Sequence, residues 1–326
     1  MATAAETTYQ SPAPDHLRPL NSSRDLLGVA DLIELCFSDT LDTEGRRYLQ
    51  NMRAAAQTPG MAFFAPLEEW ANIPMSGFVW EEDGRLVGNI SLIPYRLQGQ
   101  RRYLIANVAV HPNFRRRGIG RFLTEKGVEF ARARGMPDVW LHVREENTPA
   151  LKLYLDLGFV EQARRTTWTS HTAYQPLAMP EGLKIISRKP DAWKFQEAWL
   201  QESYPPELRW NLPLREHALK PGIAGSLYRF AKALFVQQWA AWQDQELIGV
   251  LACQSTYTRS HILWLASKPG FHELAAQALL HHARQNLGIR RHLVMDYPSE
   301  HARQAIDAAG FHKHQTLIWM QKIFSA

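Results

Sequence analysis

The chain has 326 residues, about twice the length of a typical single domain, so its length predicts two domains. Hydrophobic residues make up 45% and charged residues 21% of the sequence, which argues against a disordered or fibrous protein. The net charge of +5 is a mild excess that suits anionic ligands as well as nucleic acid, and the two cysteines, Cys36 and Cys253, support neither a disulfide framework nor a Cys-based zinc site.

The beginning of the chain, residues 1–15, is small and polar, and we expect it to be disordered rather than a signal peptide. Two stretches at helical spacing and three at strand spacing follow, and then a helix, a strand and another helix. The predicted elements are helices at Asp25–Phe37 and Thr43–Ala56, strands at Ser76–Trp80, Leu86–Ile93 and Tyr103–Val110, a helix to about Arg134, a strand at Asp138–Val143 and a helix at Thr148–Leu157. This order predicts an α/β fold of α+β-like character, with a mixed sheet in which only the strands flanking the crossover helix are parallel.

The second half of the chain repeats this order after a linker rich in proline and small residues. Its predicted elements are strands at Ala240–Asp244, Leu247–Cys253, His261–Ala266 and His292–Asp296, and helices at Glu273–Gln285 and Glu300–Ala309. A constant offset aligns Gly118 with Gly270 and Gly158-Phe159 with Gly310-Phe311, which indicates a tandem repeat. We therefore expect a first domain at 16–174, a linker at 175–185 and a second domain at 186–326.

The longest apolar stretch, residues 223–242, is interrupted by Arg229 and Lys232, so we expect no membrane span and a cytoplasmic protein.

The most informative segment is Val108–Gly120, in which a strand ends, a basic loop follows and a helix begins. Backbone N–H groups and the helix dipole at such a junction form an anion site that suits a pyrophosphate. Gly118 and Gly120 allow phosphate oxygens to approach the backbone, and the arginines at 115–117 add positive charge. The segment lacks the Gly-Lys-Ser/Thr of a Walker loop and the third glycine of a dinucleotide fingerprint, which excludes both of those phosphate loops.

This segment resembles motif A of the GNAT family of N-acetyltransferases, in which a Gln/Arg-x-x-Gly-x-Gly/Ala loop holds the pyrophosphate of acetyl-CoA. The stretch from Trp140 to Phe159 is similar to the next motif of the family, with Asn147, Tyr154 and Gly158 at matching positions. The resemblance covers about Leu86–Trp168. It implies two tandem GNAT-type acyl-CoA N-acyltransferase domains, each with a mostly antiparallel sheet and a splayed parallel pair at the CoA site.

The resemblance also implies roles for single residues. Backbone groups of Val108 and Val110 would bind the pantetheine arm, and one of their N–H groups would polarise the thioester carbonyl. Asn147 would bind the pantetheine, and Tyr154 would protonate the leaving thiolate as the general acid. The positions implied to bind acetyl-CoA are Val108, Ala109, Val110, Arg115, Arg116, Arg117, Gly118, Ile119, Gly120, Arg121 and Asn147.

The sequence offers more than one candidate for the general base. His142 stands twelve residues before Tyr154, where similar family members carry a glutamate. A neutral imidazole, with an ordinary pKa of ~6.5, is a candidate base or water-positioning group, and a structural histidine on a strand face is the alternative. Glu145 and Glu146 are further candidates, although carboxylates at a strand end are usually solvated.

The second half departs from the motif. The residues that the constant offset aligns with Arg115, Gly120, Asn147 and Tyr154 are Ser267, His272, Ser299 and Ile306. Isoleucine cannot donate a proton, and Pro269 removes a backbone donor from the loop. We therefore expect a degenerate repeat that completes the core, forms a homodimer or walls the acceptor cleft.

The sequence thus predicts that acetyl-CoA and a primary amine, in a small molecule or a peptide, form a ternary complex in which the amine attacks directly. The alternative is a non-catalytic acyl-CoA sensor or scaffold. We expect no metal, because His281-His282 and His312-x-His314 lack partners at ligand spacing, and no nucleic-acid partner.

Overall fold

A computed structural model describes residues 14–57, 76–170, 181–255, 260–287 and 292–324. The chain forms two compact units, each built from segments that are not continuous in sequence. The first unit contains Met1–His142, Thr148–Val160 and Met320–Ala326, and the second contains Val143–Asn147 and Glu161–Trp319. The expected start at 1–15 and the linker at 175–185 fall largely outside the described residues, and the domain boundaries at 174 and 186 stay a prediction.

The first unit has helices on a mixed sheet. Its elements are β1 (Leu17–Pro19), α1 (Ser22–Phe37), α2 (Thr43–Gln57), β2 (Gly77–Glu82), β3 (Arg85–Leu97), β4 (Gln100–Val110), α3 (Ile119–Ala133), the first part of β5 (Asp138–Arg144) and α4 (Thr148–Asp156). The strand order is β1-β2-β3-β4-β5, with β4 and β5 parallel and the other pairs antiparallel. The end of the last strand, β12 (Phe311–Ile323), lies beside β5, where Gln321 donates a hydrogen bond to Asp138 (Nε2 to Oδ2, 2.9 Å).

Local sequence explains why the helices of the first unit begin and pack where they do. Asn21 caps α1, because its side chain accepts from the backbone N–H groups of Ser23 and Arg24. The apolar face of α1 then packs into a core with α2 and β2, formed by Leu20, Leu26, Val29, Ala30, Ile33, Leu49, Met52 and Val79. Helix α3 buries Ile119 and Leu123 on one face and ends before Gly135, which has a φ of +68°.

The second unit has the same strand–helix alternation. Its elements are β6 (Val160–Ser170), β7 (Leu183–Ser187), α5 (Trp193–Ser203), α6 (Pro206–Arg209), α7 (Glu216–Leu219), α8 (Gly222–Ala231), β8 (Phe235–Gln243), β9 (Glu246–Ser255), β10 (Ser260–Ser267), α9 (His272–Asn286), β11 (His292–Pro298), α10 (Arg303–Ala308) and most of β12. The strand order is β12-β6-β11-β10-β9-β8-β7, and β10 and β11 are parallel. The predicted helix at Glu300–Ala309 begins only at Arg303, because Ala302 before it adopts a left-handed φ of +55°.

The predicted fold class is thus confirmed. No helix in the described ranges is both long and apolar enough to span a bilayer. Within the same ranges, no group of three or more His, Cys, Asp or Glu side chains is placed to hold a metal ion.

Candidate active site

The two parallel strands of the first unit separate where the sequence predicts the cofactor. The pairing of β4 with β5 covers Tyr103–Ile105 against Val139–Leu141. On its other side, β4 contains a β-bulge, because Asn107 and Val108 together lie opposite a single residue of β3. A bulge bends its strand and increases the local twist. The end of β4, including Val108, Ala109 and Val110, is not paired with β5, as a splayed parallel pair requires.

A basic loop connects the end of β4 to the start of α3. Gly118 begins the helix with φ +81° and provides no side-chain cap for it. Gly118 thus gives no side-chain acceptor to the first N–H groups of α3, at Ile119, Gly120 and Arg121, and the helix dipole adds partial positive charge there. The structure brings together at this helix start most of the residues predicted to hold the pyrophosphate.

The arginines of the loop are exposed and have weak local contacts. The Arg117 guanidinium lies 4.8 Å from the centre of the Phe114 ring and 3.8 Å from a Glu82 carboxylate oxygen. Arg115 donates from Nε to the Val110 carbonyl at 3.1 Å. Arg116 has a left-handed φ of +62°, which shapes the turn before Gly118. Exposed guanidinium groups held by such contacts can reorient towards phosphate oxygens at little cost.

Tyr154 on α4 lies next to the same helix start. A Cβ placed on Gly120 would lie 3.7 Å from Val110 and 3.8 Å from Leu153, the neighbour of Tyr154. The Tyr154 side chain is buried and packs edge-on against Phe159, with the ring centres 6.0 Å apart. Burial raises the pKa of the Tyr154 phenol well above its usual range. The phenol therefore stays protonated and can act as a proton donor.

His142 lies on β5 immediately after the last residue paired with β4. Its side chain is partly buried, and desolvation lowers the pKa of His142 to about 4. The imidazole is therefore neutral at physiological pH and can accept a hydrogen bond from water or an amine. It is a weak base, and its role in the reaction stays a prediction.

Two other predicted residues belong to the second unit, in the segment Val143–Asn147. The Asn147 backbone donates to the Arg144 carbonyl at 3.0 Å, and its contact with the pantetheine stays a prediction. Glu145 accepts hydrogen bonds from Lys313 (2.8 Å) and Arg164 (2.6 Å). Hydrogen bonding by Lys313 and then by Arg164 lowers the pKa of the Glu145 carboxyl, which makes this residue a poor general base.

The second unit has a different arrangement at the corresponding junction. Only four residues separate β10 from α9, whereas eight separate β4 from α3. Ser267 is the last residue of β10, as Val110 is of β4, so the constant offset that aligned Ser267 with Arg115 is wrong in this loop. The Ser267 hydroxyl is hydrogen-bonded to His272 Nδ1 (2.7 Å) and to the Tyr297 hydroxyl (2.9 Å). These hydrogen bonds join the end of β10 to the start of α9 and to β11.

Sequence reasoning missed several polar residues around the bulge. Tyr48, Asn89, Ser91 and Asn107 form a hydrogen-bonded cluster there. The available signal was an asparagine inside a strand pattern, because asparagine is rare in strands and tolerates a left-handed φ.

The separation of β4 from β5 beside an uncapped helix start gives the first unit the fold of an acyl-CoA N-acyltransferase. The model of the acetyltransferase (GNAT) family matches residues 35–159, so this part of the chain is similar to that family. A solved GCN5-related N-acetyltransferase from Sphaerobacter thermophilus shares the fold, with a TM-score of 0.58 and 16% identity over 95% of this chain and 96% of that one.

Two curated relatives are similar to parts of the chain. The [ribosomal protein bS18]-alanine N-acetyltransferase of Salmonella typhimurium is 44% identical over 62 residues, which are 19% of this chain and 42% of that protein. The mycothiol acetyltransferase of Thermomonospora curvata is 35% identical over 124 residues, which are 38% of this chain and 40% of that protein. The matched regions thus span about two fifths of the length of these relatives.

Proposed function

We propose that the first unit transfers an acetyl group from acetyl-CoA to a primary amine, in a small molecule or a peptide. The observation that carries this proposal is the position of the α3 start, which lies beside the end of β4 that is not paired with β5 and next to α4, the helix of Tyr154. The relatives named above are acetyltransferases, which supports the same chemistry.

In this proposal, acetyl-CoA lies along the end of β4, with its pyrophosphate at residues 115–121. The backbone groups of Val108 and Val110 bind the pantetheine arm, and Asn147 adds a hydrogen bond. A backbone N–H at the bulge polarises the thioester carbonyl, which stabilises the negative charge that develops on its oxygen.

The transfer is a direct attack in a ternary complex. The neutral amine attacks the thioester carbon, so that a C–N bond forms and the C–S bond breaks. Tyr154 gives its proton to the departing thiolate and regains one that the nitrogen releases. His142 orients the neutral amine, or a water beside it. The net products are the amide and free CoA in its thiol form, because the one proton that the nitrogen releases replaces the one that Tyr154 gives to the thiolate.

Calorimetric titration of the chain with acetyl-CoA tests the first half of this proposal. We expect one site per chain, because at the corresponding junction of the second unit the loop is shorter and Ser267 is hydrogen-bonded to His272 and Tyr297. Absence of binding would overturn the proposal. A screen of primary amines for free CoA release then tests turnover, and binding without turnover on any amine would favour an acyl-CoA sensor.

A further inference from the structure

The bulge of β4 is held by buried polar side chains. Asn107 donates from Nδ2 to the Tyr48 hydroxyl (2.8 Å) and to the Ser91 hydroxyl (3.3 Å). Asn89 donates from Nδ2 to the Asn107 carbonyl (2.9 Å) and to the Ser91 hydroxyl (3.2 Å). Asn89 and Ser91 are fully buried. We call Tyr48, Asn89, Ser91 and Asn107 the bulge cluster.

The bulge cluster fixes the direction of one peptide group. Asn107 has a φ of +50°, and its carbonyl points towards Asn89 on β3. In a trans peptide the carbonyl and the following N–H point in opposite directions. The N–H of Val108 therefore points away from β3, towards the side on which β4 has parted from β5.

We propose that Asn89 and Asn107 are positioning residues that aim the Val108 N–H at the acyl carbonyl oxygen. This inference rests on the proposed function, because the oxygen is that of the bound thioester. Asn89 acts by holding the Asn107 carbonyl, and Asn107 acts by anchoring its side chain on Tyr48 and Ser91. Neither side chain touches the substrate.

The second unit provides an internal comparison. Gly88 pairs with the last residue of β4, and Gly249 pairs with the last residue of β10, so the two strand ends correspond. The residues that then correspond to Asn89 and Ser91 are Val250 and Ala252, both fully buried. The pairing of β9 with β10 runs without a register shift. Where the polar side chains are absent, the bulge is absent too.

The bulge cluster also contains an unsatisfied atom. Asn89 Oδ1 is buried and has no hydrogen-bond partner within the described residues. Buried polar atoms almost always have a partner, and an unpaired one lowers stability. An amide that lowers stability and yet directs a backbone donor fits a functional role better than a structural one.

The test is Asn89→Val, which copies the residue of the second unit. We expect kcat to fall at least ~10-fold, since loss of one oxyanion donor costs 10²–10³-fold in other enzymes. The Kd for acetyl-CoA should change less than about threefold, because the pyrophosphate loop is intact. The melting temperature should stay equal or rise, because an unpaired buried carbonyl is removed. A structural role predicts instead that kcat and stability fall together, and that result would overturn the proposal.

Asn107→Gly separates hydrogen bonding from backbone strain. Glycine adopts a positive φ freely, so this variant removes only the side-chain donors. We expect a loss of kcat similar to that of Asn89→Val, and activity equal to wild type would contradict the role of Asn107. Thr166→Val in the second unit is the matched control: it removes a buried hydroxyl that is hydrogen-bonded to Thr316 (2.8 Å), and it should leave kcat unchanged.

A crystal structure of Asn89→Val provides a readout that is independent of activity. We expect the peptide between Asn107 and Val108 to rotate from its wild-type direction, and an unchanged peptide would overturn the proposal. If the wild-type protein failed to bind acetyl-CoA, the proposed function would be wrong, whereas the direction of this peptide would still show whether the bulge cluster controls it.

Discussion

The two junctions at which a strand leads into the crossover helix differ more than the folds around them. In the first unit, eight residues connect β4 to α3, and the helix starts at a glycine that offers no cap. In the second unit, four residues connect β10 to α9, and Ser267, His272 and Tyr297 are hydrogen-bonded across the junction. The same fold therefore forms around two different junctions.

Both units keep the fold because of how their helices and sheets pack in the cores. Gly88 and Gly249 occupy corresponding places under their helices, where an added Cβ would lie 3.1 Å from Ile119 of α3 and 2.7 Å from Ala275 of α9. Both units keep this close approach of helix to sheet, which stabilises the fold. Neither Gly118 nor Phe271 caps its helix with a side chain, so the residues of this junction can differ between the units without loss of the fold.

The largest expected effect comes from replacing Tyr154 of the first unit, whose counterpart in the second unit is an isoleucine. Ile306 takes the place of Tyr154 in the second unit and is fully buried. We expect Tyr154→Phe to lower kcat by about 10²-fold or more, because general acid catalysis contributes about that much. Steady-state rates of CoA release measure this effect. Tyr154→Ile should lose at least as much.

The acetyl-CoA affinity provides the control for this prediction. Phenylalanine keeps the packing of the ring against Phe159, so the Kd of Tyr154→Phe should stay within about twofold of wild type. Unchanged kcat in Tyr154→Phe would show that Tyr154 is a core aromatic, and the two units would then differ only in their loops.

Sequence patterns predicted the elements well where the spacing of apolar residues agreed with the residues that end helices and strands. The helix after Gly118 and the strand at Asp138–Val143 appear as predicted, because apolar spacing marks both and Gly135 marks the end of the helix. The constant offset failed between β10 and α9, since matching glycines and aromatic residues say nothing about the length of the loop between them. Only backbone pairing shows that Ser267 corresponds to Val110.

The candidate site was predictable in its backbone and not in its surroundings. The loop at Gly118 and Tyr154 follow from motif spacing. The shared last strand, which gives Met320–Ala326 to the first unit, depends on contacts between distant residues and has no local signal. The pKa of His142 likewise depends on burial in the folded chain, which no spacing reveals.

The next largest effect concerns the pKa of His142, which the pH dependence of the unfolding free energy tests. Backbone pairing aligns His142 with Asp296, whose carboxylate pairs with Arg165. Because burial lowers the pKa of His142 to about 4, the unfolded chain binds more protons between pH 6.5 and 4. The unfolding free energy should fall as pH falls through this window, by up to about 3 kcal/mol from this residue. Urea unfolding of wild type and His142→Asn at pH 7.5 and 4.5 measures it.

The variant should have a flatter pH dependence than wild type. His16→Asn is the control, because it removes an exposed histidine from the same unit. Equal slopes for His142→Asn and wild type would contradict a buried neutral imidazole, and His142 could then titrate in the range that suits a general base.

The smallest expected effect concerns the loop arginines, which have no counterparts in the shorter loop of the second unit. Replacing Arg115, Arg116 and Arg117 with glutamine should raise the Kd for acetyl-CoA about 10-fold, because exposed charges attract a phosphate only modestly. The backbone N–H groups of α3 remain and keep most of the affinity. Calorimetry at two salt concentrations measures the change, which should shrink at high salt because ions screen exposed charges.

A second triple variant distinguishes local contacts from the general field of the protein. Arg85, Arg96 and Arg101 are exposed in the same unit, and their replacement by glutamine lowers the net charge equally. If both triple variants weaken binding to the same extent, the arginines act only through net charge, and the lost arginines of the second unit would not explain a lost site. If only the loop variant weakens binding, the positions of the charges matter, and the loop itself accounts for part of the difference between the two units.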